Sequence, residues 1–171
     1  ANNLSAAQKH IVLEVMSYIE NNYSIKIKTE EIASKLFFNK NYISKLFKKE
    51  TGLSIHDFIK EIRIKEACKM LSNTKQTIVE IAKDCGFSDM KTFYNVFKKQ
   101  MGISPIAYLN NYRLSVAADR LTDTSDTVSE ISYSVGINDP LYFSKLFKKT
   151  YGVAPKEYRF VYQSKQNQSI I

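Results

Sequence analysis

Cysteine and histidine are scarce in this 171-residue chain, with two of each. Cys68 and Cys85 have no paired spacing, and His10 and His56 stand alone, so no metal-binding motif is written. Both cysteines fall on apolar helical faces, as reduced core thiols of a cytoplasmic protein would. No run of 18 apolar residues exists, so no membrane-spanning helix is expected. The apolar stretch 11–19 is broken by Glu14 and Ser17 and lacks a cleavage site, so it is not read as a signal peptide. The chain begins at Ala1 rather than Met, as a processed product or a fragment would. There is no Gly-rich phosphate loop and no Ser/His/Asp set at a meaningful spacing. Neither catalysis nor a cofactor is therefore expected. Acidic residues are the minority charge: 17 against 25 Lys and Arg, a net charge of +8 and a pI near 9.3. That excess favours an anionic partner, either nucleic acid or a membrane surface.

What the sequence has in abundance is one heptapeptide. It runs Leu-Phe-Lys-Lys-Glu-Thr-Gly from Leu46 to Gly52, returns from Val96 to Gly102, and returns again from Leu146 to Gly152. Phe47, Phe97 and Phe147 are 50 positions apart each time. A fixed period of this size marks a repeated supersecondary unit. Each copy has the marks of a helix end, with Lys-Lys where cations suit the dipole and Gly where the chain turns left-handed. Upstream, Ile43, Leu46 and Phe47 take i, i+3, i+4 spacing, matched by Phe93, Val96, Phe97 and by Phe143, Leu146, Phe147. A shorter helix precedes each one, opening at Glu31-Ile-Ala, Glu80-Ile-Ala and Glu130-Ile-Ser. Short turns with Gly86 and Gly136 join the second and third pairs. This is helix-turn-helix grammar, written three times.

The expected fold is all-α, with three tandem helix-turn-helix units joined by two long connector helices. Residues 4–76 hold an N-terminal helix over 5–22, the first unit and a connector. Residues 77–126 hold the second unit and its connector, 127–162 the third unit, and 163–171 a disordered tail. Thr77-x-x-Glu80 and Thr127-x-x-Glu130 are capping boxes. The aligned position in the first unit is Lys28, which cannot cap in that way. The first turn is one residue shorter, and Phe37 stands where the others have Gly. Ser54 opens the first connector, which turns Ile59, Ile62, Ala67, Met70 and Leu71 inward. Ser104-Pro105 opens the second, through Leu109, Leu114, Ala117 and Leu121. Arg63 and Arg113 match in register. A rigid connector of about 18 residues spans roughly 27 Å, close to the ~34 Å between successive faces of a DNA groove.

Glu80-Ile-Ala, Gly86-Phe-Ser-Asp89, Phe93, Phe97-Lys-Lys99, Gly102-Ile-Ser-Pro105 and Tyr108 resemble the AraC/XylS family of bacterial transcription regulators. Asn138-Asp-Pro-Leu-Tyr-Phe143, Gly152, Pro155 and Tyr158-Arg159 resemble it again. The resemblance runs from about Val12 to Tyr162. It implies an all-helical DNA-binding region with two helix-turn-helix units joined by one long helix. This chain has three, so both the first and second and the second and third form family-like pairs.

In a helix-turn-helix the second helix enters the major groove, and residues off its core face reach base edges. The first unit offers Lys40, Asn41, Ser44 and Lys45. The second offers Met90, Lys91, Thr92 and Asn95, and the third Leu141, Tyr142, Ser144 and Lys145. The family's use of this part of the helix for bases agrees. Lys48, Lys49, Lys98, Lys99, Lys148 and Lys149 lie nearer the helix ends. They are either phosphate contacts or a solvated face that complements the dipole. Leu141 can offer only apolar contact, such as with a thymine methyl group. The first two units are therefore expected to carry sequence specificity. The expected function is a sequence-specific transcription regulator on an asymmetric promoter site, with double-stranded DNA as partner. The rival is a helical adaptor whose third unit holds RNA polymerase or a sensor domain outside this chain.

Overall fold

The computed structural model describes residues 5–168; residues 1–4 and 169–171 lie outside them. Ten helices and no strands occur among the described residues. They are α1 (Ala6–Asn22), α2 (Thr29–Lys35), α3 (Lys40–Thr51), α4 (Ile55–Asn73), α5 (Ile78–Asp84), α6 (Met90–Met101), α7 (Pro105–Asp123), α8 (Val128–Ser134), α9 (Pro140–Tyr151) and α10 (Pro155–Gln168). The three helix-turn-helix units are α2–α3, α5–α6 and α8–α9. The chain groups into two compact units that divide after Pro105, the first holding α1–α6 and the second, apart from that proline, α7–α10.

Local chemistry sets the boundaries. Ser5, Ser54, Thr77 and Thr127 cap α1, α4, α5 and α8 by accepting from a backbone N–H one turn on. Thr77–Glu80 and Thr127–Glu130 close full capping boxes: each glutamate carboxylate accepts the threonine backbone N–H at 2.7 Å. The first unit has half of this device. The Glu31 carboxylate accepts from the Lys28 N–H at 3.3 Å, but lysine has no acceptor to return the bond. The Lys-Lys helices α3, α6 and α9 each stop at a left-handed glycine whose N–H returns to a lysine carbonyl.

Each unit closes its own core. In the first, Ile32, Ala33, Ile43, Leu46 and Phe47 pack with Val12, Val15 and Ile19 of α1 and with Ile55, Ile59 and Ile62 of α4. In the second, Ile81, Ala82, Cys85, Phe87, Phe93 and Phe97 are buried, and α4 contacts both α5 and α6. One helix therefore serves two units. In the third, Ile131, Ile137, Phe143 and Phe147 join Leu114, Ala117, Ala118 and Leu121 of α7. Ile64 and Ala118 are buried as well, beyond the inward set expected from spacing, while Met70 and Leu109 are only half-buried. Ala118 lies on the same stripe as Leu114 and Leu121, whereas α4 packs against α1, α3, α5 and α6, so a single 3.6-residue face underestimates its buried side.

Helix α10 runs through Gln168, into the stretch read from the sequence as a tail, and 169–171 lie outside the described residues. Glutamine and lysine propagate a helix readily once its first turns are anchored. Here Tyr158 supplies the anchor, packed edge-on against Phe147 at 5.3 Å.

Candidate nucleic-acid interface

The three candidate recognition helices share one burial register at positions 50 apart. Positions 43, 93 and 143 are buried, as are 47, 97 and 147; positions 41, 42, 45, 48 and 49 and their counterparts are exposed in all three. Their amino ends are fixed by side-chain caps. Asn39 accepts from the Asn41 N–H at 2.8 Å, Asp89 from the Thr92 N–H at 2.7 Å, and Asp139 from the Leu141 and Tyr142 N–H groups at 2.9 and 3.0 Å. The Thr92 hydrogen bonds hold the Asp89 carboxyl below its ordinary range.

The outward face of α3 presents Asn41 and Lys45, with Ser44 half-buried behind them. Lys40 is exposed but occupied, because its Nζ lies 2.5 Å from Glu30 Oε1 of α2. That pair, ten residues apart across the turn, holds the Glu30 carboxyl below its ordinary value. Helix α6 presents Lys91, Thr92 and Asn95, with Met90 half-buried. Helix α9 presents Leu141 (76% exposed), Tyr142 and Lys145, and the Ser144 hydroxyl is turned back onto the Pro140 carbonyl at 2.8 Å. Tyr42 was missed by sequence reasoning. It is 40% exposed on α3, and its register with Thr92 and Tyr142 is the signal that finds it.

Charge follows the same register. Lys48, Lys49, Lys98, Lys99, Lys148 and Lys149 are exposed in the last turns of their helices. Among the described residues, none of these six, nor Lys45, Lys91 or Lys145, makes an ion pair with an acidic side chain. Nine ammonium groups on three helices therefore have no counter-ion among the described residues.

Two arginines stand against the turns that lead into α6 and α9. Arg63 of α4 donates to the Tyr23 and Ile25 carbonyls at 2.8 Å each, and lies over the Phe87 ring. Burial lowers its pKa, as it does for Arg113. Gly86 has φ +82°, and a Cβ there would stand 2.6 Å from the Tyr23 carbonyl oxygen and 2.9 Å from the guanidinium. In the third unit Gly136 faces Arg113 in the same way, at 3.1 Å. No cluster of metal-ligating side chains occurs among the described residues. Burial pushes the Cys85 thiol up to about 12, which makes it an inert core group. No described helix is long and apolar enough to cross a membrane.

The family model described as a helix-turn-helix domain matches residues 32–109 and, a second time, residues 91–160. The chain belongs to the AraC/XylS family. The two matches overlap on α6 and the start of α7, so the second unit closes one family pair and opens another. Among AraC/XylS relatives, the Msm operon regulatory protein of Streptococcus mutans is 36% identical over 89 residues, 52% of this chain and 32% of that protein. The xylose operon regulatory protein of Escherichia coli is 32% identical over 85 residues, 50% of this chain and 22% of that one. The chain thus spans a third or less of the length of these two relatives. The solved C-terminal domain of AraT, a response regulator from Geobacillus stearothermophilus, matches with a TM-score of 0.58 and 32% identity over 64% of this chain and 88% of that one. An AraC-type transcriptional regulator from Chromobacterium violaceum matches with a TM-score of 0.59 and 25% identity, covering 63% and 96%.

Proposed function

We propose that this AraC/XylS chain is the DNA-binding part of a transcription regulator, and that it reads successive major grooves of an asymmetric promoter site. The observation that supports this is the triple register. Three helices with the same buried stripe each turn outward a small set of side chains and two lysines in the last turn. Asn41, Lys45, Lys91, Thr92 and Asn95 have the donors and acceptors that base edges require. Ser44 and Met90 stand at the margin of that set, and Lys40 would have to leave Glu30 to join it. The six paired lysines suit phosphates, which fix position without carrying sequence. The first two units are read as the source of specificity. The third would add phosphate contacts through Lys145, Lys148 and Lys149 and one apolar contact through Leu141. Such a role would place the protein in the cytoplasm.

A second reading applies to the third unit. Leu141, Tyr142, Tyr133 and Phe160 are exposed there, which suits contact with a protein such as RNA polymerase or a sensor domain.

Selection of bound duplexes from a random DNA pool tests the main reading, followed by salt titration on the selected site. Affinity is expected to fall with a log–log slope of about −0.9 per phosphate contacted. No enriched sequence, or a flat salt response, overturns it. Joint Lys145→Ala, Lys148→Ala and Lys149→Ala substitution separates the two roles of the third unit. Weaker binding with unchanged sequence preference supports phosphate contact. Truncation after α7 is a poorer probe, because Leu114, Ala117 and Leu121 would lose their buried cluster.

A further inference from the structure

The first turn contains the one non-glycine residue of positive φ among the described residues. Phe37 has φ +61° and is 95% exposed. Its backbone role is that of Gly86 and Gly136. Each accepts the same place in the turn, with its N–H bonded three residues back, to Ser34, Lys83 and Tyr133 respectively. A β-carbon in this conformation is strained, and a bulky residue here is a true outlier.

The fold does not demand the ring. Two sister units build the same turn with glycine. The next residue shows the same divergence. Phe87 and Ile137 are buried, whereas Phe38, their counterpart, is 41% exposed and packs its ring on Tyr42 at 5.5 Å. The first turn is one residue shorter, and α1 carries no arginine to fill the space behind it. As a result Phe37, Phe38 and Tyr42 stand in the solvent directly ahead of and on the first turn of α3. A strained and solvated aromatic is retained where it has a use outside the fold.

The surroundings narrow what that use is. Residues 26–49 hold seven lysines and only two glutamates, and one glutamate is engaged by Lys40. An apolar cluster in a cationic field, at the amino end of a recognition helix, matches a polyanion that also exposes methyl groups. Thymine in the major groove has that chemistry. Resting on the DNA-binding reading above, we infer that Phe37, supported by Phe38 and Tyr42, is a specificity residue that contacts the 5-methyl group of a thymine at the edge of the segment read by the first unit.

The test uses the full chain and two variants. Wild type and Phe37→Gly are each carried through selection from a random duplex pool, and thymines in the wild-type site are then replaced one at a time by deoxyuridine, which lacks only the methyl group. At one or two positions, deoxyuridine is expected to weaken wild type about 3- to 10-fold and Phe37→Gly no more than about twofold. Phe37→Gly is also expected to raise Tm by a few degrees, because it removes the strain. Phe37→Ala keeps the strained β-carbon, so it should lose the thymine preference without that gain. Indifference of wild type to deoxyuridine at every thymine overturns the inference, as does an unchanged preference in Phe37→Gly. A lower Tm in Phe37→Gly means that the ring supports the fold, and overturns it too. Unchanged DNA binding with a change in self-association by sedimentation assigns the rings to a protein contact instead. Failure of wild type to enrich any duplex is a different result: it removes the DNA-binding reading itself, before any variant is made.

Discussion

The first and third units share a buried core and the paired-lysine, glycine-stopped end of the recognition helix, and differ at the cap, the turn and the outward side chains. Ile43 and Phe47 are buried in one, and Phe143 and Phe147 in the other, at the same steps of the helix. Around that core the third unit has a full capping box, a glycine turn and a proline-started recognition helix. The first has a lysine at the cap, a phenylalanine in the turn and a polar recognition helix. The difference teaches that burial at two positions per helix is enough to hold the motif, and that caps, turns and outward faces are free to diverge.

The largest effect expected is on the shared part. Phe47→Ala, Phe97→Ala and Phe147→Ala should each cost about 3–5 kcal/mol in urea or thermal unfolding. If one of them costs under about 1 kcal/mol, that unit does not depend on the common core and the comparison breaks. Next come the turns. Gly86→Ala meets a backbone carbonyl and should cost about 2–4 kcal/mol, whereas Gly136→Ala meets only the end of a flexible arginine and should cost about 1–2. Equal losses would mean that strain at positive φ, rather than close approach, sets both.

The outward faces give the next step down. Asn95→Ala should cost about 1–3 kcal/mol on the best DNA site and relax preference at particular base pairs, as should Lys45→Ala. Lys98→Ala should weaken all sequences alike. A uniform loss from Asn95→Ala would show that this face does not distinguish bases. Caps are smaller still. Thr127→Ala should lose about 1 kcal/mol, and Lys28→Thr, which gives the first unit the missing half of its box, should gain about 0.5–1.

The smallest effect is one of pH. Backbone hydrogen bonds from Thr77 and Thr127 hold Glu80 and Glu130 below their ordinary value of 4.5. A depressed carboxyl favours the folded state above its unfolded pKa, and that contribution fades as pH falls from about 4.5 through the lower folded value. A slight fall in Tm over that acid range should disappear in Glu80→Gln/Glu130→Gln, which removes both titrating carboxyls. Its persistence would assign acid sensitivity elsewhere, with Glu30 and Lys40 the next pair to test.

Much of this architecture was legible because its determinants are local. The 50-residue period, Thr-x-x-Glu and the Gly that ends each Lys-Lys helix all act within one or two turns of chain. What stayed hidden depends on contacts made at a distance. The Glu30–Lys40 pair forms only once α2 and α3 face each other, so Lys40 reads from the sequence as free. The tie from Arg63 to Tyr23 and Ile25 spans about 40 residues, and only the matched register with Arg113 hinted that the position matters.

The second unit's double membership has a genetic corollary. Because both family matches include α6, a deletion of one whole period between Phe47 and Phe97 would leave the order of buried and exposed positions unbroken. The same Phe-Lys-Lys peptide sits at both ends of that interval. A chain one whole period shorter or longer would therefore keep its helices in phase, whereas any other change of length in that interval would not.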